Sequence, residues 1–198
     1  AVAAANLFAP TPDKENAVFM ARLNIDLKDD APDYPALVVA NHILGGGALS
    51  SRLGSRLRQK DGLSYGAGSF LHVGALDNAG SWGIYAIAAP QNMVKVEVGA
   101  REELARALKD GFTAKEVTDA IEGMLKQRMQ GRAQDGGLGG ALAGYLYLGR
   151  SYGDWAAKQD AALAAVTAES ALAAARKYIK PDQLTIAIGG DPAKMKKP

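Results

Sequence analysis

The pattern of apolar and polar positions divides the chain into alternating and helical stretches. Residues 17–27 (AVFMARLNIDL) alternate and are rich in apolar side chains, which predicts a strand. After a charged turn containing Pro32, residues 34–44 (YPALVVANHIL) place Leu37, Val38, Asn41 and Leu44 at helical spacing, with Pro35 tolerated in the first turn. The glycines 45–47 should stop that helix. Ser50 and Ser51 are good N-caps for a short helix through Lys60, with Leu53 and Leu57 one turn apart on its inner face.

Asp61-Gly62 marks a turn, and two further strands are predicted over 63–73 (LSYGAGSFLHV) and 80–89 (GSWGIYAIAA), joined by a hairpin connection at 77–80. In the first of these, simple alternation puts Leu63, Tyr65, Ala67, Ser69, Leu71 and Val73 on one face and Ser64, Gly66, Gly68 and Phe70 on the other. The glycines flatten that second face, so a helix or a peptide could approach it closely. A long helix follows Pro90 to about Asp110. Thr113-Ala-Lys-Glu116 is a capping box that opens the next helix, toward Arg132. Further helices are predicted over 141–150, 154–163 and 168–179, with the glycine-rich run 136–140 as the connection between helices. Residues 184–188 (LTIAI) form the last strand, closed by Gly189-Gly190-Asp191. With no internal repeat and no low-complexity linker, residues 1–198 read as a single α+β domain. It has two layers, with helices on one face of a largely antiparallel sheet.

Composition narrows the function. A chain of 198 residues with 48% hydrophobic and 22% charged residues is no disordered segment. Its net charge of +2 gives no electrostatic footprint for nucleic acid. No apolar run reaches the roughly 20 residues of a membrane span. Cysteine is absent, which removes disulfides, thiol catalysis and cysteine-ligated metal. Both ends read as cut, since there is no initiator Met and no signal-peptide layout, so an excised piece of a longer protein is expected.

The search for a complete catalytic centre returns exclusions. His42 and His72 are 30 positions apart and stand in neither helical zinc pattern, so no metal site is expected in this chain. The glycines 45–47 lack the following Gly-Lys-Ser/Thr of a phosphate loop, and no Gly-x-Ser-x-Gly elbow exists. Glu102-Glu103 and Asp29-Asp30 read as solvated pairs. What stands out is the block from Leu44 to Phe70. It sets Arg52, Arg56, Arg58 and Lys60 in one short helix and Tyr65 on the next strand. On composition alone this is a basic surface helix packed on a glycine-smoothed strand.

The same block resembles the signature of the pitrilysin/insulinase family of zinc peptidases, in its non-metal-binding, C-terminal-type domains. The matching residues are Leu44-Gly45-Gly46, Ser51-Arg52-Leu53, Leu57-Arg58-Gln59-Lys60, Gly62-Leu63 and Tyr65. The flanks agree as well: Thr11–Asn16 before the first strand, Asp33–Leu37 at the helix start, and Leu172–Ile188 as helix plus closing strand. The resemblance implies the mitochondrial processing peptidase/LuxS-like metallohydrolase fold. It further implies that Arg58 and Tyr65, seven residues apart, are auxiliary catalytic and substrate-binding groups. Tyr65 would help to stabilise the oxyanion, and Arg58 would hold a substrate carbonyl.

The His-x-x-Glu-His motif is missing, so the chain alone is not expected to be an enzyme. Zinc is implied in another domain of the parent or in a partner subunit of the same family, as in members that work as pairs. The implied partners are a peptide substrate and that zinc-bearing domain; the implied location is periplasmic, with cytoplasmic as the alternative. Two other readings stay open: a structural or interaction domain of an inactive homologue, and an unrelated ligand-binding α+β domain that uses the flat Gly66/Gly68 face. The ending Lys194–Pro198 reads as the parent's own C-terminus.

Overall fold

A computed structural model describes residues 3–195. The last three residues of the proposed C-terminus therefore lie outside the described residues. Among the described residues five strands form one sheet: β1 (Asn6–Pro10), β2 (Ala17–Asp26), β3 (Ser64–His72), β4 (Ala79–Ala88) and β5 (Thr185–Gly190). Their order is β1-β5-β2-β4-β3. All pairings are antiparallel except β1 with β5, which is parallel. The sequence pattern predicts no element before Ala17. β1 is exposed along its whole length, so it lacks the alternation that a half-buried strand shows.

Among the described residues six α-helices accompany the sheet: α1 (Tyr34–Asn41), α2 (Met93–Asp110), α3 (Ala114–Arg132), α4 (Asp135–Tyr147), α5 (Tyr152–Ala164) and α6 (Ala168–Tyr178). The core lies between one sheet face and α1, α2 and α6. Phe19, Ala21, Leu23 and Ile25 of β2 and Trp82, Ile84 and Ala86 of β4 meet Leu37, Val96, Leu104 and Ala175 there. The domain is thus α+β in two layers, as the sequence predicts. The other sheet face is left open, with Val18 43% and Tyr85 and Ile87 each 39% exposed.

Three predicted elements differ. The helix from Tyr34 is α-helical only to Asn41 and continues as a π turn, His42–Gly46, in which the Gly47 N–H donates to the His42 carbonyl at 2.8 Å. The short helix through Lys60 is π-type over Gly54–Lys60, closed by the Asp61 N–H on the Arg56 carbonyl at 3.0 Å. α4 starts at Asp135, so the glycines read as a connection lie inside a helix. Leu138, Ala141, Tyr145 and Leu148 recur at helical spacing and lean on the rest of the chain, and this contact outweighs the poor helix propensity of glycine.

Candidate functional site

The helix that carries Arg58 is anchored at both ends. Ser51 is its N-cap: the backbone there is extended, and the Gly54 N–H donates to Ser51 Oγ at 3.1 Å. Leu53 and Leu57 are buried beneath it. Arg52 donates from Nε to Glu116 Oε1 at 2.7 Å, from Nη2 to Glu116 Oε2 at 2.8 Å, and from Nη2 to the Gly111 carbonyl at 2.9 Å. Glu116 is also the last residue of the predicted capping box and accepts the Thr113 N–H at 2.8 Å. The Arg52 guanidinium, helped by the Thr113 donors, holds this carboxyl at about 2 against the opposing effect of burial.

The four basic residues of this helix divide into two kinds. Arg52 is held by Glu116, and Arg56 by Asp61 at 2.6 Å and Glu102 at 3.0 Å. Arg58 and Lys60 have no ion pair among the described residues and are exposed. Between Leu44 and Phe70 the only acidic residue in the sequence is Asp61; Glu102 and Glu116 arrive from α2 and α3, beyond the reach of local spacing.

Tyr65 stands where the strand is irregular. Ser64 pairs with Ala88 and Gly66 with Ile87, so a β-bulge leaves Tyr65 with no cross-strand partner. Simple alternation therefore fails at this point. Ser64 joins the buried face with Ala67 and Ser69, and Tyr65 leaves it for solvent, 64% exposed. Ser64 holds the bulge in place. Its Oγ accepts the Gly66 N–H at 3.0 Å and lies 2.7 Å from the Gly66 carbonyl and 3.0 Å from the Ile87 carbonyl, either of which can take its proton. The Leu63 N–H donates to the Leu57 carbonyl at 2.9 Å, which folds the strand start back against the end of the Arg58 helix.

The π turn before this helix packs directly on β3. A β-carbon on Gly45 would lie 2.1 Å from the Ser69 nitrogen and 2.6 Å from the Gly68 carbonyl carbon, so only glycine permits the approach. Asn41 completes the junction: its Oδ1 accepts from the Ser69 hydroxyl at 2.8 Å and from the Trp82 Nε1–H at 2.9 Å. The buried indole and the strand are thereby tied to the end of α1. The face read as flat is partly covered, because the Tyr85 ring stands within 3.1 Å of where a Gly68 side chain would begin.

The histidines do not converge. His42 is half-buried in the π turn, where burial lowers its pKa, and His72 is exposed at the end of β3 with its ring 5.2 Å from Phe70. Among the described residues no group of three or more His, Cys, Asp or Glu side chains is placed to hold a metal ion. The described residues do not fit a zinc centre. No described helix is long and apolar enough to cross a membrane.

Comparison with known proteins adds the family. The sequence model of the Peptidase M16 inactive domain matches residues 4–124. No curated protein sequence matches the chain. Among solved structures, the peptidase M16 inactive domain from Pseudomonas fluorescens superposes with a TM-score of 0.84 at 24% identity, covering 98% of this chain and 45% of that one. A protease from Helicobacter pylori matches with a TM-score of 0.80 at 17% identity, over 95% of this chain and 44% of its own. The periplasmic protease PqqL from Escherichia coli gives 0.77 at 16% identity, over 96% and 21%. The chain thus spans less than half the length of each of these relatives.

Proposed function

The chain belongs to the peptidase M16 family as a domain of its inactive type, and from that premise we propose that it is the substrate-binding, non-metal-binding domain of a zinc peptidase. Arg58 and Tyr65 are the groups that touch the substrate. One observation carries this reading. In a helix whose other arginines are each locked to carboxylates, Arg58 keeps its guanidinium unclaimed, seven residues before a tyrosine set out on a bulge. A scaffold has no use for such an arrangement.

In this reading the Tyr65 hydroxyl donates a hydrogen bond to the oxygen that gains negative charge as the peptide carbonyl is attacked. Arg58 grips a neighbouring carbonyl or carboxylate with its planar fork. The open face of the sheet, with Val18, Tyr85 and Ile87, forms a wall along which the peptide lies. Zinc is held by another domain of the parent or by a partner subunit. A periplasmic location is part of the proposal, supported by the name of the Escherichia coli relative.

The test is peptide hydrolysis by the full-length parent. Tyr65→Phe removes one hydroxyl from an exposed ring and should lower kcat by roughly 10²-fold with an unchanged melting temperature. Arg58→Ala should raise KM, and should lower kcat as well where its grip tightens in the transition state. Unchanged kinetics in both variants would mean that the domain serves only as structure.

A further inference from the structure

We propose that the cleft between α3, α4 and α5 is a binding site for the carboxylate of a short peptide. The inference rests on the side chains that line the cleft and is independent of the roles given to Arg58 and Tyr65.

The cleft has a volume of about 400 Å³ and is lined by Arg128, Arg132 and Arg150 together with Tyr145, Tyr152 and Trp155. Its charges do not balance. Arg128 Nη1 and Arg132 Nη1 share the single carboxylate of Asp160, at 2.9 and 2.7 Å. Arg150 takes the Asp29 carboxylate to itself, with Nη1 on Oδ2 at 2.6 Å and Nη2 on Oδ1 at 2.8 Å, and its guanidinium stacks 3.8 Å above the Trp155 ring. Asp30 is turned to Lys28 at 3.7 Å. With Lys28 and Asp30 counted, four cations meet three carboxylates; Asp30 also acts on Arg150 and the Tyr152 hydroxyl engages Arg132, and the remaining Arg128 and Arg132 donors are open to a second anion. A planar carboxylate matches that fork.

The rest of the lining speaks for a peptide rather than a bare ion. Leu138, Ala141 and Leu148 give the cleft an apolar wall beside the arginines, and the Tyr145 and Tyr152 rings, with centroids 5.5 Å apart, also line it. An inorganic anion would leave that wall uncovered, whereas a few residues ending in a carboxylate would fill a space of this size. The wall is also weakly built. α4 has five glycines in 13 residues and no buried side chain, and each glycine costs about 1 kcal/mol of helix propensity relative to alanine. A ligand that touches Leu138, Ala141 and Tyr145 therefore adds contacts that α4 lacks without it.

Trp155 reports on the cleft, and Trp82, the other tryptophan, is fully buried and supplies a constant background. The experiment titrates the 198-residue chain with acetyl-Ala-Ala-Leu as the free acid, with the corresponding amide, with acetate and with inorganic phosphate. The free acid should change Trp155 emission saturably, and the amide should bind at least about tenfold more weakly. Arg132→Gln should abolish the response. Ala141→Phe, which fills the cleft and touches no ion pair, should abolish it too while circular dichroism and melting temperature stay unchanged. The proposal is overturned by no saturable change with the free acid, by equal binding of acid and amide, by phosphate or acetate binding as tightly as the peptide, or by unimpaired binding in Ala141→Phe.

Discussion

Arg52 and Glu116 are 64 residues apart in the chain and meet through two parallel hydrogen bonds of 2.7 and 2.8 Å. The pair ties the first turn of the Arg58 helix to the first turn of α3. Because Glu116 also caps α3, removing its carboxylate loosens two elements at once. Glu116→Ala should destabilise the domain by about 2–3 kcal/mol, as the sum of a lost cap and a stranded, partly buried guanidinium. Urea unfolding measures this. A loss within ~0.5 kcal/mol would mean that the two elements dock without the pair.

The same pair sets a pH dependence. The Glu116 carboxyl is held at about 2 instead of its ordinary 4.5. A depressed carboxylate pKa adds stability that is present above about 4.5 and is lost as pH falls toward about 2. The side chain is 31% exposed, so solvent screening reduces the effect to ~1–2 kcal/mol. In Arg52→Met the fall in stability across that acid window should be shallower than in the wild type. Equal slopes in the two proteins would assign the acid sensitivity to other carboxylates.

Leu57 is completely buried under the Arg58 helix, and its Cδ2 lies 2.8 Å from where a side chain on Gly99 of α2 would begin. Leu57→Ala should cost ~2–5 kcal/mol. Melting curves that show under ~1 kcal/mol would mean that the helix is not docked in this way.

Gly45→Ala puts a methyl group into the backbone of β3, 2.1 Å from the Ser69 nitrogen. Main chain cannot swing aside as a side-chain tip can, so the π turn or the strand must move, at a cost of roughly 2–4 kcal/mol. Slowed amide exchange at Gly68 and Ser69 in the wild type should be lost in the variant. Retained protection would show that the junction adapts without strain.

Zinc added to the purified chain and followed by gel filtration should not co-elute in stoichiometric amount. Cysteine is absent, and His42 and His72 sit in separate, unclustered surroundings. One tightly held zinc per chain would contradict the assignment to the non-metal-binding type of domain.

The sequence determined this protein's local structure wherever one residue's surroundings repeat with a fixed period. The alternation of β2, the Thr113–Glu116 capping box and the burial of Leu53 and Leu57 all follow from spacing, since pleat and helical turn dictate which side chains share a face. The two-layer α+β class follows from the order of such elements, and the motif from Leu44 to Tyr65 carried the family. Only the tertiary structure decided the rest. An inserted bulge residue resets the alternation at Tyr65, where the neighbouring Ser64 bonds both to Gly66 and across to Ile87 of β4. The partners of Arg52 and Arg56 come from α2 and α3, which decides that Arg58 is the arginine left unclaimed. β1 is a strand because it pairs with β5 at the far end of the chain, and α4 is a helix because one of its faces leans on α3 and α5. Pairing between distant segments leaves no period in the sequence, so contacts of that kind become legible only when the chain is folded.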